Sequence, residues 1–221
     1  MLELDTQRII GNNTYVERNT TGMIESLILY LVLFLPGAIP QELPELIAFS
    51  MNRELIRIIV YDVPSLALIW YLLARTRDHW CKPCFQDILS FIMALPGLML
   101  IGFCVSVLSS LSGTGISTLV EAPQGLGPWL VAVVSCMSTG YLEESYFRFY
   151  LLQRLEYGRW RGVLGPSLLF SLSHLYEGPW GMLNAALAGL LLSLIFMKQH
   201  SLHGLAWAHG LYNVFVYAIG I

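Results

Sequence analysis

Two carboxylates and one arginine stand together in the apolar stretch GYLEESYFR, at Glu143, Glu144 and Arg148. Charged groups inside a lipid-embedded helix cost from roughly 3 to more than 10 kcal/mol each, and they persist where they are paired or functional. Residues four apart share a helix face, so Glu144 can pair with Arg148. Glu143 is turned away by about 100° and has no local partner. We predict that Glu143 faces a cavity; the alternative is a buried ion-pair network that fixes helix packing.

Two further polar pairs follow at helical spacing. Phe170 and His174 are four residues apart in FSLSH, and His209 and Asn213 are four residues apart in HGLYN. Each pair therefore occupies one face of a helix. Taken alone, each is explained by hydrogen bonds to a neighbouring helix, since polar side chains often hold membrane helices together.

The three clusters together contain the groups that amide hydrolysis needs. A carboxylate and an imidazole can together remove a proton from water. A second imidazole and a carboxamide can donate hydrogen bonds to an oxyanion. The chain has no Gly-x-Ser-x-Gly motif and no cysteine near the clusters, and we interpret Ser145, Ser171 and Ser173 as packing hydroxyls. This pattern favours direct attack by water over a covalent nucleophile.

The elements that carry these clusters are predicted membrane spans. The chain of 221 residues is 56% hydrophobic and only 12% charged, against roughly 25% charged residues in soluble domains. A spanning helix needs about 20 mostly apolar residues. Seven segments are candidates: 23–40, 57–74, 88–110, 128–156, 163–176, 180–197 and 203–220. The second is weaker because Asp62 and Pro64 interrupt it, the fourth is longer than the bilayer requires, and the fifth is short. We therefore predict an all-α fold, a polytopic membrane helix bundle of about seven transmembrane helices with a conical, cavity-forming C-terminal core.

Two further segments give weaker indications of structure and function. Residues 41–56 mix charges with apolar positions, which predicts an interfacial amphipathic helix. Cys81 and Cys84 form a Cys-x-x-Cys motif in a loop between spans, which we interpret as incidental; the alternative is a redox or metal role. We expect one integral membrane domain over 1–221, in which 1–127 form variable N-terminal spans and 128–220 form the catalytic core.

Positive charge predicts the orientation of the chain in the membrane. With seven spans and a cytoplasmic N-terminus, only Arg53 and Arg57 lie outside. The cytoplasmic side then holds Arg8, Arg18, Arg75, Arg77, Lys82, Arg154, Arg159, Arg161 and Lys198. We therefore predict a cytoplasmic N-terminus and an external C-terminus. At a rise of about 1.5 Å per residue, all three clusters fall in the cytoplasmic half of a core about 30 Å thick, where they can form one pocket.

The three motifs also resemble those of a known family. Glu143-Glu144-x-x-x-Arg148, Phe170-x-x-x-His174 and His209-x-x-x-Asn213 are similar, in order and in helix placement, to the motifs of the CAAX-protease and bacteriocin-processing family, also called CPBP or Abi. The eukaryotic relatives in that family cleave prenylated CAAX proteins. The resemblance covers residues 128–220 and does not extend into 1–127.

The resemblance implies a glutamate-type intramembrane endopeptidase. By this resemblance Glu143 and His174 would activate water, His209 and Asn213 would form the oxyanion hole, and Glu144, Arg148 and Phe170 would support the site. We predict no metal and no cofactor. The alternative is zinc on Glu143, His174 and His209, a ligand set spread over three spans without a His-Glu-x-x-His helix.

Two other classes of function remain as alternatives. One is a non-enzymatic membrane immunity or binding protein with the same fold, and the other is a small transporter that uses the carboxylates as a proton relay. The expected partners are the lipid bilayer and a membrane protein or lipidated peptide substrate. The net charge of −3 without a basic tract argues against nucleic acid. The expected location is a prokaryotic inner or plasma membrane.

Overall fold

The computed structural model of the protein describes residues 22–39, 46–47, 49–75, 83–113, 119–154 and 159–219. The described residues form seven helices: α1 Gly22–Ala38, α2 Met51–Arg75, α3 Phe85–Leu111, α4 126–154, α5 Arg159–Ser173, α6 Gly178–Gln199 and α7 Leu202–Ile219. A 3-10 turn, Leu175–Glu177, joins α5 to α6. Two strands of two residues each, β1 Leu46–Ile47 and β2 Leu119–Val120, pair in parallel. The predicted all-α polytopic bundle is confirmed.

The outward faces of the helices are apolar, as lipid contact requires. Among the described residues, Met51–Arg75, Phe85–Leu111 and Leu175–Gln199 are long and apolar enough to cross a membrane. Val60 on α2 and Phe103 on α3 are both 68% exposed at the surface of the bundle. Large apolar side chains at such exposure are unfavourable in water and suit a hydrocarbon solvent. The protein is therefore membrane-associated, while its orientation stays a prediction.

The interfacial helix predicted over 41–56 is wrong in its second half, and residues 41–45 lie outside the described part of the chain. α2 begins at Met51, where the Ser50 hydroxyl accepts from the backbone N–H of Arg53, and it continues to Arg75. The helix widens into a π-helix at Ile58–Asp62, just before Pro64. Sequence reasoning placed the start of this span too late because Glu54 is charged, yet Glu54 is 4% exposed and contacts α4.

Two glycines let α4 and α7 approach closely. A Cβ atom on Gly140 would lie 2.8 Å from the carbonyl oxygen of Ala206 and 2.9 Å from the backbone nitrogen of Gly210. A Cβ atom on Gly210 would in turn lie 2.7 Å from the sulfur of Met137. Small residues at a helix crossing bring the two backbones together. This crossing sits one turn before Glu144 on α4 and next to His209 on α7.

Asp87 holds the start of α7 against the start of α3. Its carboxylate accepts from the backbone N–H of Cys84, which closes the first turn of α3. The other carboxylate oxygen accepts from the Ser201 hydroxyl and from the backbone N–H of Gly204. Asp87 is 1% exposed, so these bonds satisfy a buried charge at two helix N-termini. The position of α7, which carries His209, depends on this contact.

Aromatic side chains fix α1 against α4 and α5. The ring of Phe34 lies 4.7 Å from that of Tyr146 and 4.9 Å from that of Phe147. The Tyr146 hydroxyl donates to the backbone oxygen of Ser26, and the Tyr30 hydroxyl donates to that of Leu169. These contacts surround the π-helical turn Ser145–Tyr150 in α4. The turn that follows the glutamate pair is therefore packed on all sides.

Candidate active site

The predicted ion pair between Glu144 and Arg148 is confirmed. Arg148 Nη1 lies 3.0 Å from Glu144 Oε1, and both side chains are fully buried. The Arg148 guanidinium also lies over the ring of Phe170, 4.5 Å from its centroid. A buried charge is tolerated where an opposite charge and a π-face replace water. Through Phe170, the ion pair on α4 therefore contacts α5 in the buried part of the site.

Glu144 also holds His209, a contact that sequence reasoning missed. Glu144 Oε1 lies 2.8 Å from His209 Nδ1. Because an ionised carboxylate can only accept, Nδ1 carries the proton of this hydrogen bond. The signal that could have revealed it is the pair of glycines, Gly140 and Gly210, one turn before Glu144 and one residue after His209. A helix crossing at these glycines places the two side chains opposite each other.

Glu143 lies on the other side of the same imidazole. Glu143 Oε2 is 3.5 Å from His209 Nε2, and its side chain is 14% exposed, against 7% for His209. His209 is therefore placed between two carboxylates, one fully buried and one reached by solvent. Of the two glutamates, Glu143 is the one available to a substrate or a water molecule.

His174 stands just beyond the last residue of α5, and its ring is oriented by that helix. His174 Nδ1 lies 2.9 Å from the backbone oxygen of Phe170. Since a carbonyl oxygen can only accept, the Nδ1 atom donates and Nε2 keeps its lone pair. The ring of Phe170 lies 4.6 Å from His174 and 5.8 Å from His209, in edge contacts with both. Phe170 is thus the spacer between the two imidazoles.

The structure brings most of the predicted site residues into one cluster. Glu143, Glu144, Arg148, Phe170 and His209 are in direct contact, and His174 joins them through Phe170. The half-buried Asn213 lies one turn beyond His209 on α7. Within the described part of the chain, no hydrogen bond joins His174 or Asn213 to Glu143. A substrate or a water molecule is needed to connect them.

Two tyrosines near Glu143 were not predicted. Tyr176 stacks on His174 with ring centroids 6.1 Å apart, and it interacts electrostatically with Glu143. Tyr61 on α2 donates its hydroxyl to the backbone oxygen of Leu33 and also interacts electrostatically with Glu143. Neither tyrosine shares a motif with the glutamates, and their proximity arises only from helix packing.

The side chains of the zinc alternative are not arranged as a metal site. Nδ1 of His209 is bonded to Glu144 and Nδ1 of His174 to a backbone carbonyl, which leaves Nε2 of each imidazole as the possible ligand. In the described ranges, however, no three His, Cys, Asp or Glu side chains are grouped closely enough to hold a metal ion. The absence of a metal stays a prediction.

A comparison with protein families gives a match that covers this site. Residues 125–215 match the family profile described as type II CAAX prenyl endopeptidase, Rce1-like. The C-terminal part of the chain is therefore similar to the Rce1-like domain. The match confirms the resemblance to the CAAX-protease and bacteriocin-processing family, and it contains all seven predicted site residues. Searches of curated proteins and of solved structures gave no match. The similarity supports a membrane endopeptidase in general terms, acting on peptide substrates.

Proposed function

We propose that the Rce1-like domain hydrolyses a peptide bond of a membrane-associated or lipidated substrate by water activated at Glu143. The observation that carries this proposal is the unequal glutamate pair around His209. Glu144 is fully buried and its Oε1 atom is held by both Arg148 and His209, whereas Glu143 is accessible and contacts the opposite imidazole nitrogen. One carboxylate thus positions the imidazole, and the other remains available for proton transfer.

The reaction then needs four groups. Glu143 removes a proton from water, which His174 orients through its unprotonated Nε2, and the resulting hydroxide attacks the peptide carbonyl. His209 and Asn213 donate to the oxyanion. Donation from His209 Nε2 requires the imidazolium form, whose charge lies between Glu143 and Glu144. Glu143 finally returns its proton to the leaving amine.

The substrate class follows from the family and from the setting. The matching family is described by its action on CAAX prenyl substrates. We therefore choose a prenylated C-terminal peptide as the first substrate to test. The nine-to-two distribution of positive charge predicts that such a peptide reaches the pocket from the cytoplasmic side or laterally from the lipid.

The test is Glu143→Gln in purified protein, assayed in detergent with an internally quenched farnesylated peptide. The matched control is Glu121→Gln, which removes an exposed carboxylate before α4. We expect Glu143→Gln to lower kcat about 100-fold or more, because general-base groups contribute that much. Full activity of Glu143→Gln would remove Glu143 from the mechanism. Mass spectrometry of the products separates this cleavage from that of a contaminating protease.

A further inference from the structure

A second polar cluster lies between α2 and α4, outside the site described above. Glu54 and Asp62 on α2 are 4% and 1% exposed, although their helix is otherwise apolar. Ser135 and Ser138 on α4 face them, and Arg57 forms an ion pair with Glu54. The mechanism above uses none of these five side chains. Charged groups held in a membrane-spanning helix point to a function.

At one end of the cluster, the Glu54 carboxylate has several partners. The Ser135 hydroxyl donates to Glu54 Oε2 over 2.6 Å, and Arg57 Nη2 lies 3.1 Å from the same oxygen. Arg57 also donates to the Ser135 hydroxyl. The side chain of Arg57 is 36% exposed. This end therefore opens to the surface of the bundle at Arg57, about two turns from the capped start of α2 at Ser50.

The other end of the cluster, at Asp62 and Ser138, has fewer hydrogen-bond donors than acceptors, and we call it the under-supplied end. Ser138 Oγ lies 2.5 Å from Asp62 Oδ2 and 2.9 Å from the backbone oxygen of Ser135, but a hydroxyl has only one proton to donate. Among the described residues, no donor reaches the buried Oδ1 atom of Asp62, and Arg57 Nε has no acceptor. Buried polar atoms that lack protein partners are usually served by water.

The under-supplied end points toward the active site. Asp62 lies about 16 Å along α2 from Met51, near the middle of the span. Ser138 precedes Glu143 on α4 by five residues, or about 7.5 Å of helix. Tyr61, next to Asp62, interacts electrostatically with Glu143. The polar atoms thus run from the exposed Arg57 along the contact between α2 and α4 to Ser138, five residues before Glu143.

We propose that Glu54, Arg57, Asp62, Ser135 and Ser138 form a buried water path that supplies Glu143, with Asp62 as its central positioning residue. The inference rests on the proposed function, because each peptide bond that is hydrolysed consumes one water molecule. A bound substrate would cover the face of Glu143 that solvent reaches. A chain of buried polar atoms through α2 and α4 gives water an entry that the substrate does not block.

The first test compares Asp62→Leu with Asp62→Asn. Leucine fills the space with apolar atoms and breaks the path, whereas asparagine keeps two polar atoms for Ser138 and water. We expect Asp62→Leu to lower kcat about tenfold or more with KM unchanged, and Asp62→Asn to stay within about threefold of wild type. Ser109→Ala, which alters a buried hydroxyl on α3 outside the path, is the control.

Thermal unfolding in detergent distinguishes a role of Asp62 in water supply from a role in packing. Replacing a buried carboxylate by an apolar residue is often neutral or stabilising. The water path therefore predicts that Asp62→Leu unfolds at or above the wild-type temperature while its kcat is low. A packing role predicts the opposite: lower unfolding temperature, with activity that follows the folded fraction. Either that result or an undiminished kcat for Asp62→Leu would overturn the proposal.

A second measurement needs neither a substrate nor the Asp62 variants. With the native cysteines replaced by alanine, Ser138→Cys places one thiol on the path, and Ala132→Cys places one in the apolar interior of the same helix. Silver ion, which binds thiolates and is close to water in size, is added to the folded protein. Unreacted thiols are then counted by mass after denaturation and alkylation. We expect reaction at 138 and protection at 132; protection at both positions would contradict a water path.

The two proposals fail in different ways. If Glu143→Gln keeps full activity, the mechanism at Glu143 fails, while silver access at 138 still reports on the path. If Glu143→Gln is inactive and Asp62→Leu is fully active, only the water path fails.

Discussion

The hydrogen bond from His209 Nδ1 to Glu144 Oε1, 2.8 Å long and fully buried, connects the first polar motif of the chain to the third. The same oxygen accepts from Arg148 at 3.0 Å. Glu144 therefore fixes both the orientation of an imidazole and the charge of a buried guanidinium. The fully buried Glu144 thus sets the geometry of His209, the residue that we propose donates to the oxyanion.

Removing the charge of Glu144 should destabilise the protein. Glu144→Gln leaves Arg148 buried without its counter-ion, and breaking such a pair costs about 3–5 kcal/mol. The double variant Glu144→Gln/Arg148→Met removes both charges and should recover much of that loss. Equilibrium unfolding in mixed micelles measures the free energy of unfolding of the wild type, the single variant and the double variant. Equal destabilisation in the single and double variants would show that the ion pair carries no coupling energy.

The crossing of α4 and α7 should not tolerate a methyl group. Gly140→Ala places Cβ against the backbone atoms of Ala206 and Gly210, which cannot turn aside as a side chain would. Overpacking of this kind costs about 1–3 kcal/mol, and it should also lower kcat by separating Glu144 from His209. Gly165→Ala on α5 is the control, because its Cβ meets nothing within 4 Å. A Gly140→Ala protein as stable as the control would contradict the close crossing.

Asp87 should matter for stability although it lies outside the catalytic cluster. Asp87→Ala leaves the backbone N–H of Cys84 and the Ser201 hydroxyl without their acceptor. Leaving buried partners unsatisfied costs about 1–3 kcal/mol each. Asp87→Asn keeps one acceptor oxygen and should lose less. Thermal unfolding in detergent ranks the two variants against Glu121→Ala, and the same unfolding temperature for all three would refute the role of Asp87.

Chelation should leave the enzyme active. Within the described part of the chain, no three possible ligand side chains are grouped closely enough to hold a metal ion, and proton transfer at Glu143 needs none. We expect dialysis against EDTA, followed by assay in metal-free buffer, to preserve the wild-type kcat. Elemental analysis of the dialysed protein provides the control. Loss of activity that added zinc restores would instead support the three-ligand alternative.

Local spacing explains what could be predicted from the sequence. The pair of Glu144 and Arg148 is four residues apart on one helix, so helical geometry alone brings them together. The apolar runs predicted the bundle in the same way, because each span is read from its own residues. The family match to 125–215 likewise rests on motifs visible along the chain.

Long-range partners explain what could not be predicted. Glu54 marked the start of α2 as an interfacial segment, because its partner Ser135 lies 81 residues later in the chain. Asp62 suggested a weak span for the same reason, with its partner Ser138 on α4. The bond between Glu144 and His209 crosses 65 residues. A charge that is paired across two helices cannot be distinguished, in sequence, from one that faces water.

The bare backbones at Gly140 and Gly210 also limit how this enzyme can open. The backbones of α4 and α7 meet directly at Gly140, with the sulfur of Met137 packed beside Gly210, so we expect the two helices to move as one body. Glu144 and His209 would then keep their relative geometry when the proposed substrate enters. We therefore expect the opening for that substrate elsewhere, at a boundary where side chains rather than backbones meet.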